Sequence, residues 1–218
     1  MADREAASPQ VLVLGWLTDL SGSMAASLGR HSIVAKHAHP PSARVPIGTR
    51  WRTTNSTAPL SAAEIDSIES VIAIFDAHSV QSRFGGRQTW ASRRQLRACG
   101  NEASELATTT ALTVGARRVL LICDARRLPS SRRAYAARWT RSLAHRIGYE
   151  CVVNGLPGLS ASYAVIDTDN DVRDVAEAVV TWHGGHTADN PRRWPLYPVV
   201  GNAGVTPASS TPHRPPPS

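Results

Sequence analysis

Four side chains of this 218-residue chain have types and positions suited to proton transfer. Asp76 and His78 sit one residue apart in "FDAHS", directly after an apolar run. Asp124 ends a second apolar run in "LLICDA", and Tyr135 follows in a helical stretch. A carboxylate, an imidazole and a phenol gathered at one crevice can pass protons to and from a substrate. Sequence spacing alone does not bring them together, so a fold must. The histidines of "HAH" (His37, His39) and "HGGH" (His183, His186) have loose metal-ligand spacing, but no cysteine or acidic third ligand lies nearby in sequence, so no metal is expected. Cys99, Cys123 and Cys151 are isolated and odd in number, and make neither a disulfide framework nor a paired-cysteine metal site.

The elements that must position these residues alternate. Val11 to Leu14 reads as a buried strand that runs through "GWLTDLSGS" into a helix over Gly22 to Leu28. Ser32 to Lys36 predicts a second strand, and Val45 to Trp51 a weak third. "SAAEIDSIES" begins with Ser61 three residues before Glu64, the signature of a capped short helix. Val71 to Phe75 predicts a strand, "VQSRFGGRQ" a loop, and Thr89 to Val114 a helix broken or kinked at Gly100. Val119 to Cys123 predicts a strand. Ser130 to Ile147 predicts a helix closed by Gly148, and Glu150 to Val153 the next strand. Ala164 to Asp167 predicts a short strand and Asp171 to His183 an amphipathic helix.

Strands alternating with helices predict an α/β, doubly wound parallel sheet covered on both faces, in the order 3-2-1-4-5-6. The chain divides into a flexible start (1–9), one Rossmann-type domain (10–183), a loop-like extension (184–204) and a Pro/Ser/Thr-rich tail (205–218) expected to be disordered.

These segments, in this order, resemble the short-chain dehydrogenase/reductase superfamily, especially its extended or atypical NAD(P)-binding branch. The resemblance runs over "VLVLGWLTDLSGS", "IESVIAIFDAHS", "NEASELATTTALTVGARRVLLICDA", "AYAARWTRSLAHRIGYECVVNGLPG" and "DNDVRDVAEAVV". It implies a dinucleotide held by the first turn, at Gly15, Thr18, Ser21 and Gly22, and by the loop after the fourth strand, at Asp76 and Ala77. It also implies that the residue after the second strand selects the cofactor; Lys36, with His37 beside it, implies NADP. Tyr135 stands where the family has its acid/base tyrosine, Cys123 (followed by Asp124) at the family's serine, and Trp139 where the family has a lysine. Thr18 and Ser21 replace two glycines of the family's turn, Gly22 comes one residue late, and Asp19 adds a charge that repels phosphate.

The expected function is thus NADP-linked reduction or epimerase-like chemistry on a small organic substrate. Two alternatives follow from the departures. One is a cofactor-independent isomerase or cyclase using Asp76, His78, Asp124 or Tyr135. The other is a non-catalytic dinucleotide sensor or partner-binding protein.

The formal charge is +7, almost all of it arginine, with Lys36 as the single lysine. The arginines come as scattered pairs and are expected to be solvated surface, so no nucleic-acid partner is expected. A homodimer is compatible with the fold. No run of 18 apolar residues appears, and "MADREAASPQ" lacks the order of a signal peptide, so no membrane span and a cytoplasmic location are expected.

Overall fold

The computed structural model describes residues 10–15, 18–38, 60–87, 89–185 and 196–200. It is α/β: a six-stranded, mostly parallel sheet flanked by helices, Rossmann-like in plan. In chain order the elements are β1 (Gln10–Leu14), α1 (Asp19–Arg30), β2 (Val34–Ala38), α2 (Ala62–Ser67), β3 (Ile68–Phe75), α3 (Ala77–Phe84), α4 (Trp90–Val114), β4 (Arg118–Asp124), α5 (Ser130–Val153), β5 (Ser160–Ile166), α6 (Asp169–His183) and β6 (Tyr197–Val200). The sheet order is β2-β1-β3-β4-β5-β6. Strands β1 to β5 are parallel, and β6 closes the β5 edge antiparallel. The connection reverses direction between β1 and β3, so the crevice beyond the carboxyl ends of those strands is the switch point of the sheet.

Period-two alternation divides the core. Val11 and Val13 of β1, with Ile72, Leu120 and Ile122, face α1 and α6. Leu12 and Leu14, with Val71, Val119 and Leu121, face α4 and α5. Helix α6 meets the first layer through Val172, Val175, Ala176 and Val179, the helical spacing visible in its sequence.

Several boundaries differ from the sequence expectation. Glu150 to Val153 is not a strand but the last turn of α5. Glu150 is fixed there by Arg146, 2.8 Å away one turn earlier, and accepts hydrogen bonds from Ser104 and Thr108 of α4. Gly148 is buried inside the helix rather than capping it, and the place of the sixth strand passes to β5. "VQSRFGGRQ" contains most of α3, because Asp76 supplies an N-cap. Gly100 does not break α4; the Trp139 indole packs where a side chain would stand, 3.6 Å from an added Cβ. Helix α1 begins at Asp19, three residues before Gly22. Strand β2 runs to Ala38, which leaves Lys36 and His37 inside the strand rather than after it. The extension expected to be loop-like contributes β6. The weak strand at Val45 to Trp51 and the tail beyond 205 lie outside the described residues.

Candidate functional site

The carboxyl edge of the sheet begins at Gly15, directly after β1. Its φ is +140°, and an added Cβ would stand 3.0 Å from the Ile74 carbonyl oxygen of β3, so this turn requires glycine. Thr18 then caps α1. The Thr18 hydroxyl accepts from the Ser21 N–H, and the Ser21 hydroxyl accepts from the Thr18 N–H at 2.7 Å. Both residues thus spend their hydroxyls on their own helix. Gly22 is exposed, and an added Cβ there would meet nothing within 4 Å, so no close approach demands a glycine.

Asp19, the first residue of α1, does not spend its charge mainly on the helix end. It pairs with Arg126 at 2.8 Å. Burial pushes the Asp19 carboxyl up, but the Arg126 guanidinium, together with the backbone N–H groups of Leu20 and Asp19, holds it below the ordinary value. Arg126 is the centre of a larger cluster. Its Nε and Nη2 donate to the two oxygens of Asp124, at 3.0 and 2.7 Å, in a fork-to-fork pair. Its Nη1 donates to Asp169 at 2.7 Å. Asp124 is 2% exposed, so the guanidinium satisfies a buried carboxylate at the end of β4. The hydrogen bonds to Asp124, ahead of those to Asp169 and Asp19, raise the Arg126 pKa despite its own burial.

Asp76 lies at the end of β3 and caps α3. Its Oδ1 accepts from the N–H groups of His78 and Ser79, and its Oδ2 accepts from the Ser79 hydroxyl at 2.6 Å. Burial raises the Asp76 pKa, but these donors together bring it below the ordinary value. Ala77 is the first residue of that helix, and the His78 side chain is exposed on it.

Cys123 and Tyr135 fall on the other face of the sheet. Cys123 is fully buried with Val80, Phe84 and Ala136, and burial, against a lowering hydrogen bond from Thr140, pushes its thiol up to about 12. Tyr135 meets Phe84 edge-on at 5.6 Å. Trp139, one turn later, stacks edge-on against Phe75 at 5.1 Å and Phe84 at 5.5 Å. The position that would carry a cation beside the tyrosine is therefore an aromatic core position.

Lys36 leaves the middle of β2 toward α2, where its ammonium pairs with Glu64 at 2.8 Å. That contact, with donors from Ser61, holds Glu64 down at about 2. His37 is half-buried beside it in the strand. His183 is buried at the opposite end of the sheet, its Nδ1 2.8 Å from the Ser70 hydroxyl. Among the described residues no group of three or more metal-type side chains could hold an ion. An open concavity of about 480 Å³, lined by Arg117, Arg118 and the Gly155–Ser160 turn, lies at the amino edge of β4 and β5, away from the switch point.

The structure thus joins Asp124 to Asp19 and Asp169 through Arg126, and sets Tyr135 and Cys123 apart from them. Sequence reasoning missed Arg126 and Asp169. The available signal was the "DAR" spacing, which lets a guanidinium fold back onto a carboxylate at a strand end. Fold and edge together define a Rossmann-like α/β protein. No protein-family model matches the chain, and no curated protein matches it either. Among the described residues no helix is long and apolar enough to cross a membrane.

Proposed function

We propose that this protein is a non-catalytic binding protein on a Rossmann-like scaffold, a dinucleotide sensor or partner-binding domain rather than a reductase. The observation that carries this reading is Trp139. A tyrosine titrates near pH ~10 unless a neighbouring cation favours its charged form. Here the residue one turn beyond Tyr135 is an indole locked between Phe75 and Phe84, and the thiol at the serine position is buried and protonated. Hydride transfer coupled to Tyr135 lacks its proton machinery.

Two features bear on whether the crevice still takes a dinucleotide. Gly15 keeps the tight turn that lets a backbone approach a pyrophosphate, which favours the sensor form of the reading. Against it, Asp19 stands at the first residue of α1, and the cation that would select NADP, Lys36, is engaged by Glu64. The deciding experiment is calorimetric titration with NADPH, NADH, NADP and NAD. The expected result is binding no tighter than about 0.1 mM, equivalent to roughly 5 kcal/mol, and no oxidation of NADPH with aldehyde or ketone panels. Micromolar NADPH binding with turnover that Tyr135→Phe abolishes would restore the reductase reading.

A further inference from the structure

The 25 residues from Ala77 to Asn101 contain no Asp or Glu, yet carry five arginines: Arg83, Arg87, Arg93, Arg94 and Arg97. In the chain these look like scattered charges. Folding places most of them on one surface. Trp90, Arg93, Arg94 and Arg97 recur at i, i+3, i+4 and i+7 along the first turns of α4 and are all exposed, while Leu96 on the opposite side enters the core. Arg83, on α3, instead reaches Cys99, which lies on the Leu96 side of α4, so the exposed row is Arg93, Arg94 and Arg97. Among the described residues none of these five arginines makes an ion pair within 4 Å.

Trp90 is the second observation. It is 76% exposed, and the Arg94 guanidinium lies 5.6 Å from its ring centroid. A tryptophan left this open forgoes the burial that its large apolar surface would gain. Arginine clustered in the first turns of a helix also adds positive charge to the positive end of the helix dipole. Stability accounts for neither placement. An aromatic platform inside a row of unpaired guanidinium groups matches a polyanion that carries flat rings.

We propose that the exposed face of α4, from Trp90 to Arg97, binds single-stranded nucleic acid, with a base stacked on Trp90 and backbone phosphates on Arg93, Arg94 and Arg97. A duplex keeps its bases stacked inside and offers no base face to Trp90. An anionic membrane would need a broader apolar surface: the other exposed large apolar residues described, Val34, Tyr149, Val153 and Tyr197, lie on other elements. The proposal is independent of the crevice and of whether that crevice takes a dinucleotide.

The test is fluorescence anisotropy of the full chain with a labelled single-stranded 15-mer of mixed sequence, over a salt series around 100 mM. About three phosphate contacts predict a log–log salt slope near −2. Trp90→Ala should weaken binding roughly 5- to 100-fold. Arg94→Gln with Arg97→Gln should flatten the slope by about 1. A control pair, Arg30→Gln with Arg173→Gln, removes the same charge from α1 and α6 on the other side of the sheet and should change neither. These side chains are exposed, and unchanged far-UV circular dichroism confirms folding. The proposal is overturned by no binding near 100 mM salt, by binding indifferent to Trp90→Ala, by equal losses in the control pair, or by capture on phosphatidylserine vesicles without oligonucleotide binding.

Discussion

Arg126 and Asp124 form a two-point pair across a single intervening residue, with Nε–Oδ1 at 3.0 Å and Nη2–Oδ2 at 2.7 Å, and the carboxylate is almost wholly buried. A buried carboxylate that loses its guanidinium keeps its desolvation penalty without compensation. Arg126→Met should therefore destabilise the protein by about 3 kcal/mol, read as a shift in the urea midpoint at constant slope. Asp124→Asn with Arg126→Met together should cost less than the single arginine change, because no charge is then stranded. Asp19→Asn, at a more exposed partner, should cost under about 1 kcal/mol. A neutral outcome for Arg126→Met would mean the cluster does not hold the edge together.

Two glycines of the first turn should respond with opposite signs. Gly15→Ala forces a side chain onto a φ of +140° and to within 3.0 Å of the Ile74 carbonyl, and should destabilise by about 1–3 kcal/mol. Gly22→Ala adds a methyl group into open space on an exposed helix and should stabilise by about 0.5–1 kcal/mol. Thermal melts of the two variants check both.

His183 gives the stability a pH dependence near neutrality. Burial first, and then the Arg118 guanidinium, lower its pKa, with Glu69 opposing. Its folded value lies below the unfolded value of about 6.5, so its contribution is complete above that pH and is lost as pH falls toward the folded value. Asp19, Asp76 and Glu150, also lowered when folded, act in a separate window. Their contribution is present above about pH 4 and lost below it. Calorimetric melts should show two declines on acidification, and His183→Gln should remove the upper one.

Thiol reactivity should rank by burial. Cys123 is fully buried with its thiol at about 12, Cys151 is buried with its thiol at about 11, and Cys99 is only partly buried. Since the thiolate is the reactive form, Cys99 should react first with an aromatic disulfide at pH 8, and Cys123 last. Mass mapping of the labelled peptides reads the order. Early labelling of Cys123 would contradict its placement under α3 and α5.

The legible parts of this fold are those with local causes. The apolar runs of β1, β3 and β4 announce buried strands, and Ser61 with Glu64 announces a capped helix. The misreading at Glu150 to Val153 has an equally local cause: four residues with three apolar ones fit a strand as well as a final helical turn. What decides it is Glu150 meeting Ser104 and Thr108 from another helix. The candidate site was legible only in its strand-end residues Asp76 and Asp124. The rest of the Asp124 cluster was not, because Asp19 and Asp169 join Arg126 only when three strand ends converge. The arginine face of α4 was hidden for a related reason: pairs adjacent in sequence look scattered until a helical repeat aligns them with Trp90.

The Arg126 cluster also fixes how this edge can come apart. One guanidinium ties the start of α1 after β1, the end of β4 and the start of α6 after β5. Three stretches remote in the chain therefore share one opening event. Amide protons at the two helix starts should exchange with the same free energy of opening, and that shared value should split in two once Arg126 is removed. One side chain thus sets a common opening threshold for segments that the chain keeps more than a hundred residues apart.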